Sequence, residues 1–121
     1  FQQAYGVLRN GFAEYAADLF QAYLTAYPDG QYADQAQFWL AEAYLVNQML
    51  ELADQSFESL ILKYPSSSQI PVALLKRSYL AVEQNEIDKA RVFLTQVTIS
   101  YPGSTAGHLA AKKLVELKNT P

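Results

Sequence analysis

The feature that most constrains this chain is a dipeptide that returns at a fixed interval. Tyr27-Pro28, Tyr64-Pro65 and Tyr101-Pro102 are each 37 residues apart. The same offset joins Ala16, Ala53 and Ala90, then Phe20, Phe57 and Leu94, then Ala4, Ala41 and Ser78. Asp29-Gly30, Ser66-Ser67 and Gly103-Ser104 also stand in register. A fixed period of roughly 20 to 50 residues is the signature of stacked supersecondary units, each unable to bury its apolar face alone. The chain therefore reads as a single domain over 1–121 with repeats at about 1–30, 31–67 and 68–104 and a closing segment at about 105–118.

Each repeat reads as two helices. Ala36, Leu40, Ala43 and Tyr44 fall at i, i+4, i+7 and i+8, one apolar stripe on the helical period. After Asn47-Gln48-Met49, a second stripe runs through Leu50, Ala53, Phe57, Leu60 and Ile61. It ends at Tyr64-Pro65, because a residue before proline is pushed out of the α region. The third copy repeats the scheme with Leu74, Ser78 and Ala81, then Ile87, Ala90, Leu94 and Val97. Gly11 and Asn85 fall between paired helices, where a left-handed residue is wanted, and Gln48 at the same place is a poorer choice. Leu109, Leu114 and Leu117 mark a closing helix, giving seven helices and no strand. Leu40, Ala41 and Tyr44, then Ala53, Phe57 and Pro65, reproduce the tetratricopeptide (TPR) intervals, with alanine in place of glycine. Small residues at 41 and 53 let paired helices approach, and Tyr44 and Phe57 fill the space beside them. The expected fold is an all-α TPR solenoid, three helix pairs plus a closing helix in a right-handed superhelix.

Composition removes several function classes. No apolar run approaches the ~20 residues of a membrane-spanning helix, so the chain is read as not membrane-embedded. A net charge of −3 argues against nucleic acid, whose phosphates need a surplus of surface Lys and Arg. The charge is polarised: residues 1–62 hold one base against eight acids, whereas residues 63–121 hold eight bases against four acids. A chance asymmetry of solvated faces and an electrostatic steering role both fit that pattern. The absence of cysteine excludes disulfides, thiolate metal sites and cysteine nucleophiles. The chain opens Phe1-Gln2-Gln3-Ala4 and its one methionine is Met49, so it reads as a fragment or processed chain with an upstream part missing.

The run Tyr27-Pro28-Asp29-Gly30, followed by Gln37-Phe38-Trp39-Leu40-Ala41-Glu42-Ala43-Tyr44, resembles the signature of the YbgF/CpoB family, the periplasmic TPR proteins of the Tol-Pal system. Lys63-Tyr64-Pro65-Ser66-Ser67-Ser68, Ala73-Leu74-Leu75-Lys76 and Tyr101-Pro102-Gly103-Ser104 extend the likeness across the chain. It departs at Ala41, Gln48 and Arg77-Ser78, positions of packing detail. The resemblance implies a periplasmic adaptor that binds TolA and links outer-membrane constriction at division to a bifunctional penicillin-binding protein. It also implies an upstream signal peptide and a coiled coil that makes the full-length protein a homotrimer. Two alternatives stand beside it: a TPR lipoprotein of the outer-membrane β-barrel assembly machinery, and an accessory domain of a larger cell-wall enzyme.

Catalytic chemistry finds little footing. His108, the one histidine, sits near Ser104 and Thr105 with no orienting acid or oxyanion hole in view, and reads as a capped, solvent-facing helix start. Glu51, Asp54 and Glu58 share a helix face without a Gly-containing calcium loop, and read as a solvated acidic face. Asp29-Gly30 reads as a turn. No catalytic residue, metal or cofactor is expected. The three register tyrosines are expected at helix ends, and Trp39 wedged against a neighbouring helix. The surface expected to work is the groove lined by first helices: Tyr5 and Arg9; Gln35, Phe38, Glu42 and Leu45; Leu75, Tyr79 and Val82; and Lys112. Phe38, Leu45, Leu75, Tyr79 and Val82 would form an apolar strip for a helix or extended peptide, unless the closing helix or a partner protomer covers it.

Overall fold

The computed structural model describes residues 12–119. These form six α-helices, and no strand occurs among the described residues: α1 (Ala13–Ala26), α2 (Ala33–Val46), α3 (Leu50–Lys63), α4 (Ile70–Glu83), α5 (Ile87–Ser100) and α6 (Thr105–Lys118). The opening helix expected in the first repeat lies outside the described residues, as do Tyr5, Arg9 and Gly11.

The sequence period is also a structural period. All six helices have 14 residues, and α1, α3 and α5 start and stop at intervals of 37. Tyr27, Tyr64 and Tyr101 are the C-caps of those three helices, with ψ of 62°, 64° and 54°. Their N–H groups donate to Tyr23, Leu60 and Val97, closing the last turn. Their carbonyls accept from Gly30, Ser67 and Ser104 at 3.0, 2.9 and 3.2 Å. Proline follows each cap and cannot continue the helix, so the same turn is made three times.

The junctions after α2 and α4 follow a second rule. Gln48 and Asn85 have φ of 63° and 61°. Met49 N–H donates to the Tyr44 carbonyl and Glu86 N–H to that of Ala81, at 2.9 and 2.7 Å. This is the Schellman C-cap, which satisfies carbonyls the helix end would otherwise orphan. The start of α6 departs from the period. Ser104 caps it, accepting from Gly107 N–H at 2.9 Å, so α6 begins two residues earlier in the repeat than α2 and α4.

The chain forms two compact units, residues 1–69 and 70–121. In the first, α2 packs against both α1 and α3. Ala16, Ala17, Phe20, Leu24, Ala33, Ala36, Leu40 and Ala43 make one cluster, with Trp39 and Tyr44 packed against it. In the second unit α5 packs against both α4 and α6. The same register positions are fully buried in successive repeats: Ala36, Ala73 and Ala110 on one side, Ala16, Ala53 and Ala90 on the other. Alanines there let helix axes approach, and Phe20, Phe57 and Leu94, also at zero exposure, fill the adjoining space.

Arg77 breaks the pattern. It takes the register of Leu40, is buried, and holds its guanidinium 4.4 Å from the Phe93 ring centroid. A cation over an aromatic face is one arrangement that offsets the cost of burying a guanidinium.

Candidate functional site

The expected groove residues divide into two groups. Tyr79 is 40% exposed and Lys112 is exposed, while Gln35, Glu42, Leu45 and Val82 are half-buried. Phe38 and Leu75 are 7% and 5% exposed and belong to the packed interior, not to an open strip. For Phe38 the cause is visible: its ring lies edge-on to Phe57 of α3 at 5.7 Å and to Trp39 at 5.4 Å. On α4, Leu75, Tyr79 and Val82 fall on one face at i, i+4 and i+7, with only the tyrosine largely open to solvent. On α2, Gln35, Glu42 and Leu45 flank the buried Phe38.

The residues singled out for chemistry are occupied otherwise. The Ser104 hydroxyl donates to the Tyr101 carbonyl at 2.7 Å while accepting from Gly107 N–H, so it is fully used as a cap. His108 is exposed on the first turn of α6. Trp39 packs against the core formed by α1 and α2. Of the register tyrosines, Tyr64 is tied down most firmly. Its hydroxyl donates to the Pro28 carbonyl at 2.7 Å, joining one Tyr-Pro turn to the next. Burial, then the nearby carboxylates Asp29 and Asp34, push its pKa above the ordinary 10.0, so the donor stays protonated. Beside it, Ser67 Oγ donates to Asp34 Oδ2 at 2.6 Å and accepts from Gln69 N–H. Tyr27 is 59% exposed, leaning on Tyr23 at 5.3 Å, and so only half fulfils the packing expected of it.

A further concavity lies in the first unit, between α1 and α3. It has a volume of about 590 Å³. Gln21, Leu24 and Thr25 form one wall, Leu52, Gln55, Ser59 and Lys63 the other, and Gln37, Leu40 and Tyr44 of α2 the floor. Gln37 Nε2 donates to the Ser56 carbonyl at 3.0 Å, fixing this buried side chain and leaving its Oε1 as an acceptor. Sequence reasoning missed this cleft. Its signal is Gln55, Ser59 and Lys63 at i, i+4 and i+8, a polar stripe that carries no charge until its last member.

The fold agrees with a family comparison. The model of the YfiO family, described as outer membrane lipoprotein, matches residues 1–120. The chain belongs to the YfiO family. No curated protein matches it. YfiO membership supports a TPR-type domain and an outer-membrane context, without singling out YbgF/CpoB. TPR-like all-helical families are typically non-catalytic, and the match suggests a protein-protein interaction module. Among the described residues no helix is long and apolar enough to cross a membrane.

Proposed function

We propose that this YfiO-family chain is a non-catalytic docking module of the periplasm, binding TolA and coordinating outer-membrane constriction with septal peptidoglycan synthesis. The observation that carries a docking role is Tyr79, a large aromatic left 40% exposed on an otherwise well-packed first-helix face. Aromatics of this kind are the commonest energetic anchors of protein interfaces. Half-buried Val82 lies one turn further along the same helix. The choice of TolA, of a bifunctional penicillin-binding protein as further partner, and of trimerisation through an upstream coiled coil rests on the YbgF/CpoB resemblance of Tyr27-Pro28-Asp29-Gly30 and Phe38-Trp39-Leu40-Ala41-Glu42-Ala43-Tyr44.

The YfiO match favours a second reading, a component of the outer-membrane β-barrel assembly machinery. Both readings use the same kind of surface and differ in the partner. Titrating a purified periplasmic TolA fragment, and separately a β-barrel assembly complex lacking its own TPR lipoprotein, separates them. TolA binding that Tyr79→Ala weakens and Thr95→Ala, at an exposed position of α5, leaves unchanged supports the first. Binding to the assembly complex alone supports the second.

A further inference from the structure

The cleft between α1 and α3 is chemically unlike the first-helix face. We propose that it is a second binding site, which takes an extended, lysine- or arginine-bearing segment of a partner protein. This goes beyond the docking reading, since it uses different helices and a different ligand chemistry.

Three observations converge on that ligand. The first is shape. From Leu52 to Lys63 the α3 wall runs eleven residues, about 16 Å at the helical rise, enough for about five residues of extended chain. The second is hydrogen-bonding character. Gln21 and Gln55 bring carboxamides able both to donate and to accept, and Gln37, its Nε2 held by the Ser56 carbonyl, adds an acceptor. An extended backbone presents N–H and C=O groups in alternation and needs both capacities along its path. Leu24, Leu40 and Leu52 give alternate side chains an apolar footing between those amides. A helix would satisfy its own backbone and leave the carboxamides without partners, so the extended form is favoured.

The third observation is charge. The lining itself is balanced, with Asp29 against Lys63, and the excess of acid comes from Glu14 and Asp18 on α1 and Glu51, Asp54 and Glu58 on α3, outside the lining. The whole first unit holds two bases against eight acids. A basic segment would be drawn toward this unit before contact, and an acidic one repelled. At the corresponding position of the next repeat the stripe is interrupted at one place: Gln55 is replaced by Val92, whereas Ser59 and Lys63 give way to the polar Gln96 and Ser100.

The test uses a capped heptapeptide alternating valine and lysine, its glutamate counterpart, and chitotetraose as a neutral glycan, titrated against the whole chain. Gln55 is solvent-exposed, so Gln55→Trp obstructs the cleft without entering the core. Val92→Trp is the matched control, at the same register on α5. The lysine peptide is expected to bind, to weaken at least about tenfold in Gln55→Trp, and to be unaffected by Val92→Trp. Its association rate is expected to fall severalfold as salt rises from about 0.05 to 0.3 M. Equal binding of the glutamate peptide, no binding of the lysine peptide, or binding insensitive to Gln55→Trp overturns the proposal. Chitotetraose binding that Gln55→Trp abolishes replaces it with a glycan site. None of these outcomes bears on Tyr79, whose variants decide the docking reading separately.

Discussion

Replacing Gly107 by alanine sets helix propensity against packing, and the geometry decides the sign. Gly107 lies inside α6, where alanine is favoured over glycine by about 1 kcal/mol. A Cβ at this position, however, would overlap the Tyr101 carbonyl oxygen and crowd its carbon at 3.1 Å. That oxygen accepts from both the Ser104 N–H and the Ser104 hydroxyl, and Ser104 in turn caps α6 through Gly107 N–H. Relieving the overlap displaces the carbonyl and disturbs three hydrogen bonds, each contributing about 0.5 to 1.5 kcal/mol. After the propensity gain is subtracted, Gly107→Ala is expected to destabilise by about 2 kcal/mol. In a domain of this size the melting midpoint should fall by about 6 °C or more. Circular dichroism melts of the two proteins measure it directly. A midpoint equal to or above wild type would refute the close approach of α6 to the third Tyr-Pro turn.

Other perturbations have equally definite outcomes. Ala53→Leu adds three carbons at zero exposure between α2 and α3, and should cost about 1 to 3 kcal/mol by denaturant titration. Gln48→Gly removes a side chain from the left-handed region and should stabilise by up to about 1 kcal/mol; a loss would show that φ is not positive there. Phe38→Ala should lose about 3 kcal/mol or more of stability, whereas Tyr79→Ala should change it by less than about 0.5 kcal/mol and act on binding alone. For Tyr64, the raised pKa means the unfolded chain loses the phenolic proton first, so its contribution to stability declines as pH rises through 10.0. Tyr64→Phe should flatten that part of the stability profile, as read from unfolding curves between neutral and strongly alkaline pH.

The fold was legible because its determinants are local and repeated. Each Tyr-Pro stop, each small residue at 16, 53 and 90, and the left-handed positions 48 and 85 can be read without knowing which helix touches which. The site was less legible because exposure depends on neighbours. Helical periodicity put Phe38 and Tyr79 on corresponding faces, yet Phe38 is covered, with Phe57 against its ring, and Tyr79 is 40% exposed. The cleft was harder still. Gln21 and Gln55 are 34 residues apart, and on each helix alone the polar stripe has the pattern of an ordinary solvated face. The early start of α6 was likewise hidden, since Ser67 and Ser104 share a register but only Ser104 accepts from the N–H three residues on.

The central claim, that this is a docking module using its first-helix face, is tested most directly by an amide hydrogen-exchange footprint of the bound periplasmic TolA fragment. The account predicts new protection centred on α4 around Tyr79 and Val82, with α5 unchanged. No protection anywhere at saturating fragment, or protection confined to α5, would contradict it.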